Sequence, residues 1–138
     1  MVNNFHLKHK SVIKIDFKNK DPNSGIEGVT FDNNSNTIFI LNEKNPGKLI
    51  QLRNDFSVLA KYDLRFAADY SGIFYEDSSN QLWILSDQNR TVNKCTLNGE
   101  LIESFKINVS QPEGIAVTDN HIYIVCDEKA KLYVYKKP

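Results

Sequence analysis

One phrase recurs along this chain of 138 residues, and it constrains the fold more than any other feature. Residues 24–30 read SGIEGVT and residues 111–117 read QPEGIAV. Between them, residues 70–75 read YSGIFY, a weaker third copy. Each copy places a glycine ahead of an apolar run. The recurrence predicts an array of similar structural units rather than one irregular domain.

The spacing of the phrase identifies the unit. Gly72 follows Gly28 after 44 residues, and Gly114 follows Gly72 after 42. The blocks that begin at these glycines have apolar residues at every second position, as in TIFIL, QLWIL and HIYIV, and turn-forming runs such as DNNSN and EDSSN between them. A period in the low forties with short strands is typical of β-propeller blades of about four strands each. The sequence therefore predicts an all-β fold made of propeller blades.

The predicted blades number three, and they form a single partial propeller domain over residues 1–138. The blade repeats lie near 25–64, 70–108 and 111–138, and an orphan outer strand precedes them at 11–17. Propellers typically have about four to eight blades. We therefore expect half of a six-bladed ring, completed either by a homodimer or by a missing N-terminal half.

Composition excludes several classes of protein. Lys and Arg number 17 and Asp and Glu number 17, so no basic surface for nucleic acid is expected. No apolar run approaches the about 18 residues of a transmembrane helix. The first ten residues, MVNNFHLKHK, lack the apolar stretch of a signal peptide. Cys95 and Cys126 have no zinc-binding spacing and are interpreted as reduced thiols on strands, with a disulfide as the alternative.

The phrases also resemble a known family. GIEGVTFD, DYSGIFYEDSSN, the Leu-Ser-Asp at 85–87 and the Gln-Pro-Glu-Gly at 111–114 stand in the order found in the C-terminal half of SdiA-regulated (YjiK-like) β-propeller proteins. The resemblance covers roughly residues 11–138. It implies a six-bladed propeller without an established reaction, in a protein of the bacterial cell envelope, or of the cytoplasm if the chain is complete. A looser likeness to lactonase-type propellers, some of which hold calcium, adds a metal to consider.

A candidate site follows from the hairpin geometry. The first two strands of each block are antiparallel, so the start of one strand and the end of the other meet at one mouth of the central channel. With Gly28 opposite Leu41, Glu27 is predicted to face Asn42; the same count sets Ser71 opposite Ser86 and Glu113 opposite Cys126. The polar residues predicted at this mouth are Glu27, Asn42, Glu43, Ser71, Ser86, Asp87, Glu113 and Asp127.

Oxygen ligands that converge on one axis suit a hard cation, and Glu27, Asp87 and Glu113 are the expected ligands of Ca²⁺. The alternative is structural, with each glutamate bonding backbone amides of the next blade. The function predicted is non-enzymatic binding at the channel mouth. A metal-dependent lactonase-like or phosphoesterase-like hydrolase is the second hypothesis, and a remnant without independent activity is the third.

Overall fold

The computed structural model describes residues 11–18, 20–128 and 130–138. Among these residues, eleven strands form three antiparallel sheets and no helix occurs, so the all-β prediction is confirmed. We call the sheets blade 1, blade 2 and blade 3 in chain order. Their strands are β1 (Ile26–Asp32), β2 (Thr37–Asn42), β3 (Lys48–Leu52) and β4 (Val58–Asp63) in blade 1; β5 (Gly72–Glu76), β6 (Gln81–Ser86), β7 (Thr91–Cys95) and β8 (Leu101–Lys106) in blade 2; and β9 (Pro112–Val117), β10 (His121–Cys126) and β11 (Lys131–Lys136) in blade 3. In the part of the chain described, no helix is long and apolar enough to cross a membrane.

Each blade is a meander in which every strand pairs with the next one along the chain. The turn between the first two strands of blade 1 shows why the sequence folds this way. The buried Asp32 carboxylate accepts hydrogen bonds from the backbone N–H groups of Asn34, at 2.8 Å, and Ser35, at 3.1 Å. Asn36 and its counterpart Asn80 then adopt positive φ angles of 55° and 52°, which asparagine tolerates well. The DNNSN and EDSSN runs therefore close two equivalent hairpins.

Blade 2 lies between the other two blades because its side chains alternate between two faces. Leu82 and Ile84 enter a buried cluster with Phe39, Leu41 and Leu49 of blade 1. On the opposite face, Trp83, Leu85 and Val92 enter a second buried cluster with Val117, Ile122 and Ile124 of blade 3. Full burial of one such side chain stabilises the fold by about 1.5–3 kcal/mol. The period-two pattern of the sequence is thus the pattern of packing between blades.

The glycine of the recurring phrase allows neighbouring blades to approach each other. A Cβ atom on Gly28 would lie 2.8 Å from Cγ2 of Ile73 in blade 2. A Cβ atom on Gly72 would lie 3.0 Å from the carbonyl oxygen of Glu113 in blade 3. The first strands of the blades, β1, β5 and β9, which we call the innermost strands, meet at these points. A larger residue there forces the blades apart. This close packing is why the first two copies of the phrase contain glycine.

The prediction of a strand at 11–17 needs correction. The structure shows no strand there, since the sheet edge that the segment was expected to complete belongs to blade 3, at the far end of the array. Instead, Ile15 and Phe17 pack against the outer face of blade 1, on a cluster formed by Ile40, Ile50 and Leu52.

The close approach at Gly72 generates a prediction. The Gly72→Ala variant adds a methyl group at 3.0 Å from a backbone oxygen and 3.1 Å from Cδ1 of the buried Leu85. We expect this variant to lose about 1–3 kcal/mol of unfolding free energy, measured by chemical denaturation. The matched control is Gly25→Ala, whose new Cβ would meet nothing closer than 3.9 Å. Equal stability of the two variants would contradict the packing argument.

Candidate functional site

A cavity of about 190 Å³ lies at the end of the blades where their first strands begin. Five of its six lining residues are acidic, and they come from all three blades and the loops beside them. The lining residues are Glu27, Glu43, Asp69, Ser71, Asp87 and Glu113. The structure therefore brings together five of the eight residues predicted at the channel mouth, and it adds Asp69. We call this cavity the acidic mouth.

Two β-bulges present glutamates at the acidic mouth. In blade 1, Ile26 pairs with Asn42 and Gly28 pairs with Leu41, which leaves Glu27 as the extra residue. A bulge of this kind re-aims the side chain of the unpaired residue. The predicted pairing of Glu27 with Asn42 is therefore wrong by one residue.

Blade 3 contains an equivalent β-bulge. Pro112 pairs with Cys126 and Gly114 pairs with Val125, so Glu113 is the extra residue and does not face Cys126 as predicted. The neighbouring backbone closes the bulge in both blades: the N–H of Glu43 donates to the Gly25 carbonyl at 2.9 Å, and that of Asp127 donates to the Gln111 carbonyl at 3.3 Å. The Glu-Gly phrase therefore encodes a bulge in both blades, and in blade 1 it also encodes the close approach to blade 2 at Gly28.

Blade 2 begins without a bulge, and it provides a serine in place of the glutamate. Gly72 pairs with Leu85, and the N–H of Ser71 donates to the Leu85 carbonyl at 3.0 Å. The Ser71 hydroxyl donates to the carbonyl oxygen of Pro112 at 2.6 Å, which ties blade 2 to blade 3. Ser71 is thus both a lining residue and a link between blades.

The carboxylate near the start of blade 2 belongs to Asp69, which sequence reasoning missed. Asp69 is 3% exposed. Its Oδ1 accepts hydrogen bonds from the Ser86 hydroxyl at 2.7 Å and from the Gln88 N–H at 3.0 Å. The signal was present in the sequence, because Asp69 stands two residues before Ser71 in the phrase DYSG. The hairpin count did not reach it, since Asp69 lies ahead of the strand.

Three predicted residues do not line the acidic mouth. Asn42 is fully buried, and its amide donates to the carbonyl oxygens of Pro46, at 2.8 Å, and Lys44, at 3.3 Å. Ser86 is also fully buried and holds Asp69 in place. Asp127 lies outside the lining, but its charge still acts on Glu113. The first two residues therefore support the loops around the mouth rather than offering ligand atoms.

The electrostatics of the acidic mouth are those of crowded like charges. Partial burial raises the pKa of Glu113, and the negative charges of Asp87, Glu27, Asp127 and Asp69 raise that pKa further. Glu43 is partly neutralised, since its carboxylate lies 2.8 Å from the ammonium group of Lys44. A positive charge in this cavity would relieve the repulsion among the remaining carboxylates.

The donor set of the mouth is made of oxygen atoms, which suits hard cations such as Ca²⁺. Within residues 11–18, 20–128 and 130–138, however, no three His, Cys, Asp or Glu side chains are arranged to hold one ion. Glu27, Asp87 and Glu113 share the cavity and interact through their charges, yet they do not form a closed set of ligands in a single chain.

A larger cavity, of about 480 Å³, lies at the opposite end of the blades, among the first turns of each hairpin. Its buried carboxylate, Glu76, is already satisfied. It accepts hydrogen bonds from Nε1 of Trp83, at 3.0 Å, and from the Ser79 hydroxyl, at 2.5 Å, and it forms an ion pair with Lys137. These contacts tie the end of blade 3 to blade 2 and leave Glu76 little capacity for a ligand. The acidic mouth is therefore the better candidate site.

The model of the family described as SdiA-regulated matches residues 2–136. The chain belongs to the SdiA-regulated family. The membership expected from the Glu-Gly, Ser-Gly and Gln-Pro-Glu-Gly phrases is thus confirmed.

Solved structures with similar folds support the architecture. A protein of unknown function from Bacteroides caccae is 11% identical, with a TM-score of 0.58 over 83% of this chain and 47% of that one. The hydrazine synthase of Kuenenia stuttgartiensis is 15% identical, with a TM-score of 0.66 over 92% and 36%. A luciferin-regenerating enzyme is 14% identical, with a TM-score of 0.61 over 81% and 44%. At these identities the likeness shows the β-propeller-like fold alone, and the chain spans less than half the length of each of the three.

The raised pKa of Glu113 in this member of the SdiA-regulated family predicts how stability depends on pH. A carboxyl whose pKa is raised by folding contributes stability below its unfolded pKa, about 4.3, and loses that contribution as the pH rises through the folded pKa. The Glu113→Gln variant removes a repelling charge. In buffer with a chelator, we expect it to melt a few degrees above the wild type near pH 7, by thermal circular dichroism.

The gain in melting temperature should shrink as the pH falls toward about 4, where the glutamate of the wild type is protonated. Glu100→Gln, at an exposed turn outside the mouth, serves as the matched control and should leave the melting temperature unchanged. A Glu113→Gln variant that melts at or below the wild-type temperature at neutral pH would show that the mouth is not a site of charge repulsion.

Proposed function

We propose that this chain is a non-enzymatic binding module of the SdiA-regulated type, whose three blades form half of a six-bladed ring and whose acidic mouth binds Ca²⁺. One observation carries the proposal: carboxylates from all three blades converge on one cavity at the ends of the innermost strands. Structural roles alone do not require this convergence. Ser71 makes a contact between blades through its hydroxyl, whereas Glu27 and Glu113 project from bulges into shared space.

The chemistry of the mouth favours a hard cation over other ligands. The available donors are carboxylates and one hydroxyl, which match the oxygen preference of Ca²⁺. Glu27, Asp87 and Glu113 are the proposed ligands, because the charges of Asp87 and Glu27 are felt most strongly at Glu113. The three side chains of one half ring do not close around an ion. We therefore propose that the other half of the ring supplies further oxygens.

Assembly is part of the same proposal. Three blades fall short of the about four that the smallest propellers contain, and two sets of three give a number within the usual range. The partner is either a second copy of the chain or further polypeptide that completes the domain. In both cases the mouth becomes continuous only in the assembled ring.

A second candidate function rests on the raised pKa of Glu113. A carboxyl whose pKa is shifted toward neutrality is suited to general acid–base catalysis beside a metal. We name a metal-dependent hydrolase of lactones or phosphoesters as this alternative. Glu113→Gln distinguishes the two functions. A hydrolase turns over such esters as the wild type and loses this activity in the variant, whereas a binding module shows no turnover in either protein.

Calcium binding is tested by its effect on stability. A ligand that binds only the folded state stabilises it by about 2.7 kcal/mol when its free concentration is 100 times the dissociation constant. We expect the melting temperature of the wild type to rise with calcium concentration and to fall back when a chelator is added. The combined variant Glu27→Gln, Asp87→Asn, Glu113→Gln should show no such rise.

The control has its charge changes at the opposite end of the blades. Asp77→Asn combined with Asp119→Asn neutralises two acids of the larger cavity and should leave the response to calcium intact. A wild-type protein whose melting temperature does not respond to calcium at any concentration would refute the calcium site, and with it the metal-dependent hydrolase.

A further inference from the structure

The exposed face of blade 3 has the composition of a buried interface between blades. Strand register identifies equivalent positions, since Leu41, Leu85 and Val125 each pair with the glycine that opens their blade. Leu41 and Leu85 are fully buried against the next blade, whereas Val125 is 47% exposed. One strand outward, the equivalent residues are Leu49, Val92 and Leu132, and only the last is exposed, at 60%.

Blade 1 shows the complementary pattern at the other end of the array. Its Val29 and Phe31 are equivalent to Ile73 and Tyr75 of blade 2, which receive the face of the preceding blade. Ile73 and Tyr75 are 7% and 5% exposed, while Val29 and Phe31 are 67% and 43% exposed. The exposed face of blade 3 therefore resembles one side of a buried interface between blades, and the exposed face of blade 1 resembles the other side.

The segment at residues 11–17 packs on blade 1 in the way that an outermost strand packs on the next blade. In blades 1 and 2, the end of the outermost strand and the residue that follows it pack against the next blade. Tyr62 and Leu64 join the cluster with blade 2, and Phe105 and Ile107 join the cluster with blade 3. Ile15 and Phe17 pack against blade 1 in the same way. The segment therefore lies where the outermost strand of a preceding blade would lie.

The sequence of the segment also fits the missing strand of blade 3. Both existing outermost strands run into an apolar, charged, apolar triplet, at 62–64 and 105–107, and residues 15–17 repeat it as Ile-Asp-Phe. In blade 1, Asp63 pairs with Lys48 and forms an ion pair with it. Lys131 of blade 3 is equivalent to Lys48, since each pairs with the last residue of the strand before it. Transferring the register sets Asp16 opposite Lys131.

We propose that a second copy of this chain completes blade 3, with its segment 11–16 pairing antiparallel to β11 and its blade 1 covering the exposed face of blade 3. The pairs in this register are Asp16 with Lys131, Ile15 with Leu132, Lys14 with Tyr133, Ile13 with Val134 and Ser11 with Tyr135. The six residues from 11 to 16 equal the length of β4 and of β8. The reciprocal contact forms at the other junction, so a two-fold axis closes the ring.

This assembly removes two liabilities of the single chain. Among the residues that the structure describes, no strand pairs with the outer edge of β11, since blade 3 has three strands where the others have four. An edge of this kind is a template for pairing with another chain. Apolar residues that are exposed at both ends of the array in the single chain become buried in the dimer. The inference rests on the ring assembly in the proposed function and names its partner. Each copy then contributes one set of carboxylates to a mouth with two-fold symmetry.

A charge-reversal pair tests the register. In the Lys131→Asp variant, both junctions of the dimer place two acids opposite each other; in Asp16→Lys, both place two lysines opposite each other. We expect each variant alone to weaken the dimer about tenfold or more, measured by sedimentation equilibrium. An equimolar mixture restores attraction at both junctions, because each Lys131→Asp copy meets an Asp16→Lys copy. The mixture should therefore form one-to-one dimers with the affinity of the wild type.

Two controls separate register from general charge effects. Lys136→Asp reverses a charge on β11 beyond the last proposed pair, and Glu100→Lys reverses one at an exposed turn of blade 2. Both should dimerise as the wild type does. Leu132→Arg tests the apolar face without relying on the ion pair, and it should prevent dimerisation while circular dichroism still reports a folded β-protein.

The outcomes are distinct for assembly and for the ligand. A wild-type protein that stays monomeric up to about 100 μM, or forms larger oligomers, overturns the two-copy ring. If the protein dimerises and neither Lys131→Asp nor Asp16→Lys weakens the dimer, the proposed register is wrong. Calcium-dependent stabilisation is read separately, by melting. A dimer without that response refutes the calcium site alone, and a monomer with it refutes the second copy alone.

Discussion

Packing between neighbouring blades is the interaction on which the rest of this structure depends. A sheet with apolar residues on both faces has no stable state alone, and blade 2 satisfies both of its faces by lying between blades 1 and 3. The innermost strands of neighbouring blades come into close contact at Gly28 and Gly72. The bulges at Glu27 and Glu113 adjoin the glycines of their own strands. In blade 1 the phrase that packs the blades is therefore also the phrase that presents a carboxylate at the mouth.

The fold was predictable because each level of the sequence gave the same answer. Alternating apolar residues, asparagine-rich turns and a period near 43 all indicate blades, and the structure adds only details of strand ends. The segment at 11–17 was the exception. Whether an alternating run forms a strand depends on a partner edge, and among the described residues this segment pairs with no strand. Local pattern specifies the capacity to pair, and tertiary context decides whether pairing occurs.

The site was predictable in its residue types more than in its pairings. Counting along hairpins assumes an unbroken ladder, so the count failed by one residue at Glu27 and at Glu113, where bulges interrupt the register. Asn42 was assigned to the mouth on the same count, yet its amide satisfies the carbonyl oxygens of a turn. Asp69 was not predicted at the mouth, because it precedes its strand and the hairpin count begins at the strand. A buried carboxylate that organises a loop leaves little trace in a periodic pattern.

In the ring proposed above, assembly and calcium binding would be coupled by the charges of the acidic mouth. In the single chain, partial burial and the charges of the neighbouring carboxylates already raise the pKa of Glu113, and the proposed second copy would bring an identical set of carboxylates to the same axis. Apolar burial between the halves favours closure, while repulsion among the carboxylates opposes it. A cation bound between the halves reverses the sign of the electrostatic contribution. Because such coupling is reciprocal, the factor by which the cation tightens the ring equals the factor by which the ring tightens the cation. A mouth of this kind therefore links the binding of a small ion to the state of assembly.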